Sequence, residues 1–265
     1  MKHLPNLLTL GNLFCGCVAI AYILTAQPFV YRNYADGQLQ WIMGTEQLYM
    51  GSLFILIAAF FDLLDGFTAR ALNVFSPIGK DLDSLADMVS FGAAPSMILF
   101  KCLWDALMQN KNAFDVSMVA MTPAFLIACF AALRLAKYNI TASTQKSYFI
   151  GMPTPAVGLF IASFPLLLWN SPFRLPRFFQ EYNHYVWLIY LIIALLCFLM
   201  VSNIRFFKMI PAKFKPAYYW PQAVILVAAC VLIPLLKIAA IFPIFGLYIV
   251  LSVIYKHPSD PVKEK

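Results

Sequence analysis

The chain has 265 residues, of which 62% are apolar and only 12% charged, with a mean hydropathy of +0.77 and a formal net charge of +7. A soluble domain carries roughly 25% charged residues, so the composition excludes a globular enzyme with a watery surface and indicates a chain that crosses a membrane several times. The positive charge lies in short loops between apolar runs, which reads as orientation in a bilayer and not as nucleic-acid binding.

A spanning helix needs about 20 mostly apolar residues. Stretches of this kind run over roughly 7–26, 47–70, 83–108, 115–138, 154–170, 185–204, 220–236 and 238–256. The first follows Met1-Lys2-His3-Leu4-Pro5-Asn6 and ends without a small-residue cleavage site, so it reads as a retained span and not as a cleaved signal. The last two are parted only by Lys237, and Pro234 and Pro243 favour a tight helical hairpin over one long helix. The expected fold is an all-α integral membrane bundle of about eight transmembrane helices, formed by residues 1–265 as one membrane domain with no internal repeat. Eight spans put both termini on one side. With the termini cytoplasmic, the cytoplasmic ends hold 13 Lys and Arg residues (Lys2, Arg70, Lys80, Arg134, Lys137, Lys146, Arg205, Lys208, Lys213, Lys215, Lys256, Lys263 and Lys265) against 6 on the other side (Arg32, Lys101, Lys111, Arg174, Arg177 and Lys237), as the positive-inside rule prefers. Trp41, Trp104, Trp169, Trp187 and Trp220 fall near span ends and read as an interfacial belt. Cys15, Cys17, Cys102, Cys129, Cys197 and Cys230 lie in or beside apolar runs without paired metal spacing, and read as small buried hydrophobes. His3, His184 and His257 have no metal-binding context.

One region breaks the membrane pattern. It reads Asp62-Leu-Leu-Asp65-Gly66-Phe-Thr-Ala69-Arg70 and then Gly79-Lys-Asp81-Leu-Asp83-Ser-Leu-Ala-Asp87. A carboxylate inside a span costs about 2.5–3.5 kcal/mol even on lenient scales, so these side chains must face one another, water or a cation. Asp62 and Asp65 are three apart and Asp83 and Asp87 four apart, so each pair shares a helix face. The link between the helices is short and punctuated by Asn73, Ser76-Pro77 and Gly79, which sets the two pairs side by side. Four converging carboxylates make sense with a cation or with protonation. Oxygen-only ligands suit Mg²⁺ or Mn²⁺ and not zinc. Such ions recruit substrate phosphates, and two of them clamp a phosphorus centre during displacement. Gly66 and Gly79 leave backbone open to a nucleotide, and Arg70 is a fork for phosphate. Taken alone, Asp83 reads equally well as a helix cap, Asp81 as a solvated residue and Arg70 as a cytoplasmic anchor. Asp62, Asp65 and Asp87 have no such reading.

These residues match the signature D-x2-D-G-x2-A-R-x8-G-x3-D-x3-D at Asp62, Asp65, Gly66, Ala69, Arg70, Gly79, Asp83 and Asp87. The chain thereby resembles the CDP-alcohol phosphotransferase family. Pro5-Asn6-Leu-Leu-Thr9-Leu-Gly-Asn12 is similar to the opening of that family's first span. Asp83 to Asp87 with Phe91-Gly92-Ala-Ala-Pro95, Arg134-Leu-Ala-Lys137-Tyr-Asn139 and Gly151-Met-Pro153-Thr-Pro155 resemble the branch whose acceptor is serine. The likeness covers most of residues 4–205 as a six-helix core, and leaves 206–265 as two added helices with a short polar tail.

The resemblance implies the following roles. Asp62, Asp65, Asp83 and Asp87 would bind two Mg²⁺ or Mn²⁺ ions, with Asp87 also the general base. Gly66, Ala69, Arg70 and Gly79 would shape the CDP site. The serine hydroxyl would attack the lipid-side phosphorus of CDP-diacylglycerol and CMP would leave. The enzyme would be a homodimer in a bacterial cytoplasmic membrane, with its site facing the cytoplasm. The acceptor's carboxylate needs a cation, for which Arg134 and Lys137 at the end of the fourth span are candidates, with Asn139 as a hydrogen-bond partner. Arg205 and Lys208 are weaker candidates, read first as anchors. A family member with glycerol phosphate or inositol as acceptor is the nearest rival. A cation transporter is the rival of another class, and the sequence shows no second acidic cluster or paired halves to support it.

Overall fold

Hydrocarbon offers no hydrogen bonds to a peptide group, so an apolar run entering a membrane has to bond its own backbone as a helix. The computed structural model describes residues 4–32, 39–72, 77–108, 116–141, 148–170, 182–207 and 216–255. Helix α1 (Leu4–Thr25) is followed by a two-stranded ribbon of β1 (Pro28–Arg32) and β2 (Leu39–Met43), then α2 (Thr45–Leu72). Helix α3 (Pro77–Asp87) runs through a π-helical turn, Met88–Ala93, into α4 (Ala94–Met108). Short α5 (Met118–Met121) and a 3₁₀ turn containing Pro123 lead into α6 (Leu126–Thr141). Strand β3 (Tyr148–Ile150), α7 (Thr154–Asn170), α8 (Tyr182–Val201) and β4 (Arg205–Phe207) follow. Helix α9 (Pro216–Leu236), a 3₁₀ turn at Lys237–Ala240 and α10 (Ile241–Ile254) complete the described chain.

Helix occupies each of the apolar stretches expected from sequence, and this is a helical membrane protein. By length and composition, five helical runs among the described residues suffice to cross a membrane: Leu4–Thr25, Thr45–Leu72, Ile78–Met108, Met118–Thr141 and Trp220–Ile254. Thr154–Leu167 and Tyr185–Val201 are shorter apolar helices. The Trp220–Ile254 run is not one rod. Lys237 has φ of 50°, and the rings of Trp220 and Tyr255 meet at 5.8 Å. Residues that far apart on a straight helix would stand about 50 Å apart at a 1.5 Å rise. The segment therefore folds back as the expected hairpin.

Two short strand ribbons add to the helices, and the cysteine expectation is met only in part. Strands β1 and β2 pair antiparallel in the loop after α1, and β3 pairs antiparallel with β4, with Phe149 opposite Phe206. Both ribbons pair backbone groups in segments that no helix serves. The cysteines also divide: all six are free, Cys15, Cys102 and Cys197 are buried, but Cys17, Cys129 and Cys230 lie on the outer surface, where a small apolar side chain suits lipid as well as a core.

Helix α1 packs more extensively on α2 than any other pair of described elements does, and it also touches α3, the π turn and α4. Small residues allow this approach, as in many membrane helix pairs. A Cβ on Gly16 would collide with Ser90 of the π turn, and one on Gly158 of α7 would stand 2.9 Å from the Phe91 Cα. Lys101, read from sequence as lying on the non-cytoplasmic side, is buried in α4. Its Nζ donates to the Ala26 carbonyl at 2.6 Å and lies 3.4 Å from that of Leu24, satisfying carbonyls left over at the end of α1.

Gly151 turns the chain from β3 into α7 with φ of +76°. Its N–H donates to the Ile204 carbonyl at 2.9 Å, and a Cβ there would run into the Met200 carbonyl oxygen. Gly151→Ala therefore meets both a left-handed backbone and a backbone clash. It is expected to destabilise the fold by about 2–4 kcal/mol, visible as a lowered unfolding midpoint in detergent; an unchanged midpoint would contradict this account.

Of the residues named from sequence, Asn73 and Ser76, the cations Lys2, Lys111, Lys146, Arg174, Arg177, Lys208, Lys213, Lys215, Lys256, Lys263 and Lys265, and His3 and His257 lie outside the described residues. The side chains of Arg32, Trp41, Trp169 and His184 do so as well.

Candidate active site

The site starts from the register of two helices. Asp62 and Asp65 stand on the C-terminal half of α2, and α3 opens on Pro77, a residue suited to the first helical turn. Asp83 is consequently well inside α3 and is not its cap. Asp81 is exposed, in keeping with a solvated residue. One carboxylate oxygen from each of Asp62, Asp83 and Asp87 lies within 4.8 Å of the other two. Asp62 and Asp83 are partly buried and Asp87 is only 7% exposed. Two full charges at such a distance repel by on the order of 3 kcal/mol at an effective dielectric of 20. A bare trio of this kind is unfavourable, whereas the same oxygen set suits a hard divalent cation. On donor chemistry and spacing the residues fit Mg²⁺ or Mn²⁺.

The fourth carboxylate is held differently. Asp65 is buried and does not belong to the close trio; its Oδ2 accepts a 2.7 Å hydrogen bond from the Thr9 hydroxyl of α1. One turn on, Asn12 is wholly buried with its Nδ2 3.5 Å from Asp87 Oδ1, while its Oδ1 has no partner. The Ser90 hydroxyl donates to the Asn12 carbonyl at 3.1 Å and ties the π turn to the same helix. Thr9 and Asn12 received no role from sequence. Their signal was there: they are three apart, on one face of an otherwise apolar helix, aligned with Gly16. Thr9→Val would strand a buried Asp65 oxygen at about 1–3 kcal/mol. It is expected to lower the turnover that the family resemblance implies, read as CMP release, about tenfold or more, and full activity would show that α1 does not hold Asp65 in place.

Around the carboxylates, Gly66 faces open space, since a Cβ there would find only the Arg70 guanidinium at 4.0 Å. Arg70 is exposed, and Ala69 and Gly79 are partly buried. This leaves room beside α2 for a phosphate-bearing group.

The cations expected to act together are separated. Arg134 of α6 is 6% exposed, lies within electrostatic reach of Asp87, and sits over the rings of Tyr138 at 5.2 Å and Phe149 at 5.7 Å. Its Nη1 donates to the Thr154 hydroxyl at 3.3 Å and its Nε has no partner. Lys137 points outward, its Nζ 3.5 Å from Asn203 Oδ1. A three-residue step leaves about 60° between side chains on a 3.6-residue helix, enough here to put one inside and the other out. Asn139 is engaged with α3, donating to the Ser84 hydroxyl at 2.8 Å and accepting from Lys80 Nζ at its carbonyl at 2.7 Å. Of the weaker candidates, Arg205 stacks over the Tyr148 ring at 4.9 Å, and Lys208 lies outside the described residues.

The sequence matches the CDP-alcohol phosphatidyltransferase family over residues 2–200. A CDP-diacylglycerol–serine O-phosphatidyltransferase of Bacillus subtilis is 34% identical over 173 residues, covering 63% of this chain and 81% of its own length. Proteins of the same name from Methanocaldococcus jannaschii and Helicobacter pylori are 34% identical over 233 residues (86% of this chain, 96% of the relative) and 28% identical over 251 residues (94% and 89%). With a match running from the first helix to the end of α8 and enclosing every carboxylate of the site, this chain belongs to the CDP-alcohol phosphatidyltransferase family.

Proposed function

We propose that the protein transfers the phosphatidyl group of CDP-diacylglycerol to the hydroxyl of L-serine, giving phosphatidylserine and CMP. The observation that carries this reading is the trio Asp62, Asp83 and Asp87, held within 4.8 Å beside a buried arginine, in a chain whose relatives bear the name of that activity. Asp62, Asp65, Asp83 and Asp87 would hold two Mg²⁺ or Mn²⁺ ions. When bound, these ions supply charge neutralisation for the pyrophosphate and the departing CMP. Gly66, Ala69, Arg70 and Gly79 line the CDP side. Asp87 takes the proton of the serine hydroxyl as its oxygen bonds to the lipid-side phosphorus, and the bond from that phosphorus to the CMP oxygen breaks. Arg134 receives the serine carboxylate through donors the fold leaves free, its Nε among them. Lys137 and Asn139 serve the mouth of the site and not the carboxylate itself.

The reading extends to topology. It takes eight crossings, a six-helix core at 4–205 with two added helices, and a cytoplasmic site; the α9–α10 hairpin and the bias of positive charge support this reading. Impermeant thiol labelling of single cysteines placed in each terminus would find both on the cytoplasmic face; labelling of one terminus alone from outside would reject eight crossings, and labelling of both would reverse the orientation. The homodimer is tested by chemical crosslinking in membranes, where a monomer only would reject it.

The function is tested with detergent-purified protein, CDP-diacylglycerol, Mn²⁺ or Mg²⁺ and radiolabelled L-serine. Label entering lipid with CMP release, lost on adding EDTA, is the expected result. CMP release only with inositol or glycerol phosphate would keep the family and reject serine. Absence of CMP release with every acceptor tried, from folded protein, would reject the transferase reading.

A further inference from the structure

The family match stops at residue 200, yet the chain continues into β4 and the α9–α10 hairpin. Helix α10 returns to the core at two places. Near its start Phe245 stacks on Phe160 of α7, with centroids 4.0 Å apart and planes at 13°. Further along, Tyr248 packs on Phe206 and Phe207 of β4, at 5.6 and 5.1 Å between centroids. Tyr248 is 7% exposed, and its hydroxyl donates to the Phe207 carbonyl at a long 3.3 Å.

Sheet register connects this tyrosine with Arg134. Phe206 pairs across the ribbon with Phe149, and Phe149 is one of the two aromatic rings over which the Arg134 guanidinium lies. The hydroxyl of Tyr248 is also within electrostatic reach of that guanidinium. Arg134 has one side-chain hydrogen bond, to Thr154, and an Nε with no acceptor, although nine-tenths of it is buried. An arginine carries about 2 kcal/mol of rotamer entropy, so a single long hydrogen bond does not fix where its free donors point. The rings of Tyr138 and Phe149 are the surface that the guanidinium lies against.

We propose that Tyr248 is a positioning residue for the acceptor site, so that the C-terminal hairpin completes the pocket in which Arg134 receives the acceptor's carboxylate. The proposal rests on the reading of Arg134 given above. The ring of Tyr248 backs Phe206, the cross-strand partner of Phe149, and its hydroxyl anchors it on β4. The added helices thus set acceptor affinity, while the phosphoryl chemistry belongs to α1, α2 and α3.

The test uses full-length Tyr248→Phe and Tyr248→Leu, with initial rates of CMP release taken against serine at saturating CDP-diacylglycerol and the reverse. Removing the hydroxyl alone is expected to raise the KM for serine about fivefold, the scale of one modest hydrogen bond. Removing the ring should raise it roughly 30-fold or more. In both, kcat should stay within about twofold of wild type and the KM for CDP-diacylglycerol should not move, with Phe rescuing most of the Leu defect. Serine KM equal to wild type in both variants overturns the proposal. So does a loss of kcat and of both affinities that simply follows a lowered unfolding midpoint. If the Leu variant does not fold, Tyr248→Phe decides alone. A wild type without serine-dependent CMP release overturns the functional reading itself, and this outcome is distinct because it is seen before any variant is made.

Discussion

Asp87→Asn is expected to lower kcat for serine-dependent CMP release by about 10³-fold or more while leaving the protein folded. A positioned general base contributes about 10²- to 10⁴-fold, and Asp87 is also one of three carboxylates whose oxygens crowd within 4.8 Å. Asparagine keeps the shape and still offers an oxygen to Asn12, whose Nδ2 stands 3.5 Å from Asp87 Oδ1. Without metal, the substitution removes one of the like charges, so the variant should unfold at the same temperature as wild type or somewhat higher. With metal the order reverses. A ligand present at about 100 times its Kd stabilises the folded state by about 2.7 kcal/mol, so Mn²⁺ should raise the midpoint of wild type and raise that of the variant much less. Both measurements are needed. Activity above a tenth of wild type would remove Asp87 as the base, and an undiminished Mn²⁺ shift would remove it as a ligand.

Arg134→Gln should raise the KM for serine about 10- to 100-fold, as expected for losing one charge-assisted contact, with the KM for CDP-diacylglycerol unchanged. Lysine should not rescue it. Arg134 spends Nη1 on Thr154 and keeps Nε free in the same rigid plane, whereas an ammonium has no planar fork with which to hold both partners. Its place over the rings of Tyr138 and Phe149 also favours the flat guanidinium. Equal increases in both KM values would make Arg134 part of the scaffold. Lys137→Gln should raise the KM for serine much less than Arg134→Gln, because that side chain is exposed and directed toward Asn203.

The carboxylate cluster was legible because its cost is local. Each aspartate in an apolar run demands a partner, and helical spacing says which pairs share a face. The hairpin at Lys237 was legible for a similar reason, since two prolines and a lone cation interrupt an apolar run that would otherwise read as one rod. Thr9 and Asn12 were harder: their partners lie 56 and 75 residues away, and a hydroxyl or an amide in a span is cheap enough to go unremarked. Asp65 looked equivalent to its neighbours until Thr9 was seen to hold it.

By itself, then, the sequence determined a membrane-embedded helical chain, the positions of its helices, and an acidic centre suited to a hard divalent cation, because hydrophobic runs, helical period and the cost of buried charge act over a few residues. Only the tertiary structure decided that Asp62, Asp83 and Asp87 form the close trio, that Arg134 turns inward while Lys137 turns out, that Asn139 clasps Ser84, and that Tyr248 from the last helix packs on Phe206 of the β3–β4 ribbon. Those outcomes depend on how each helix is rotated and tilted against its neighbours. That is settled by close approach at small residues such as Gly16 and Gly158 and by the β3–β4 ribbon, which join parts of the chain too far apart for any local pattern to relate.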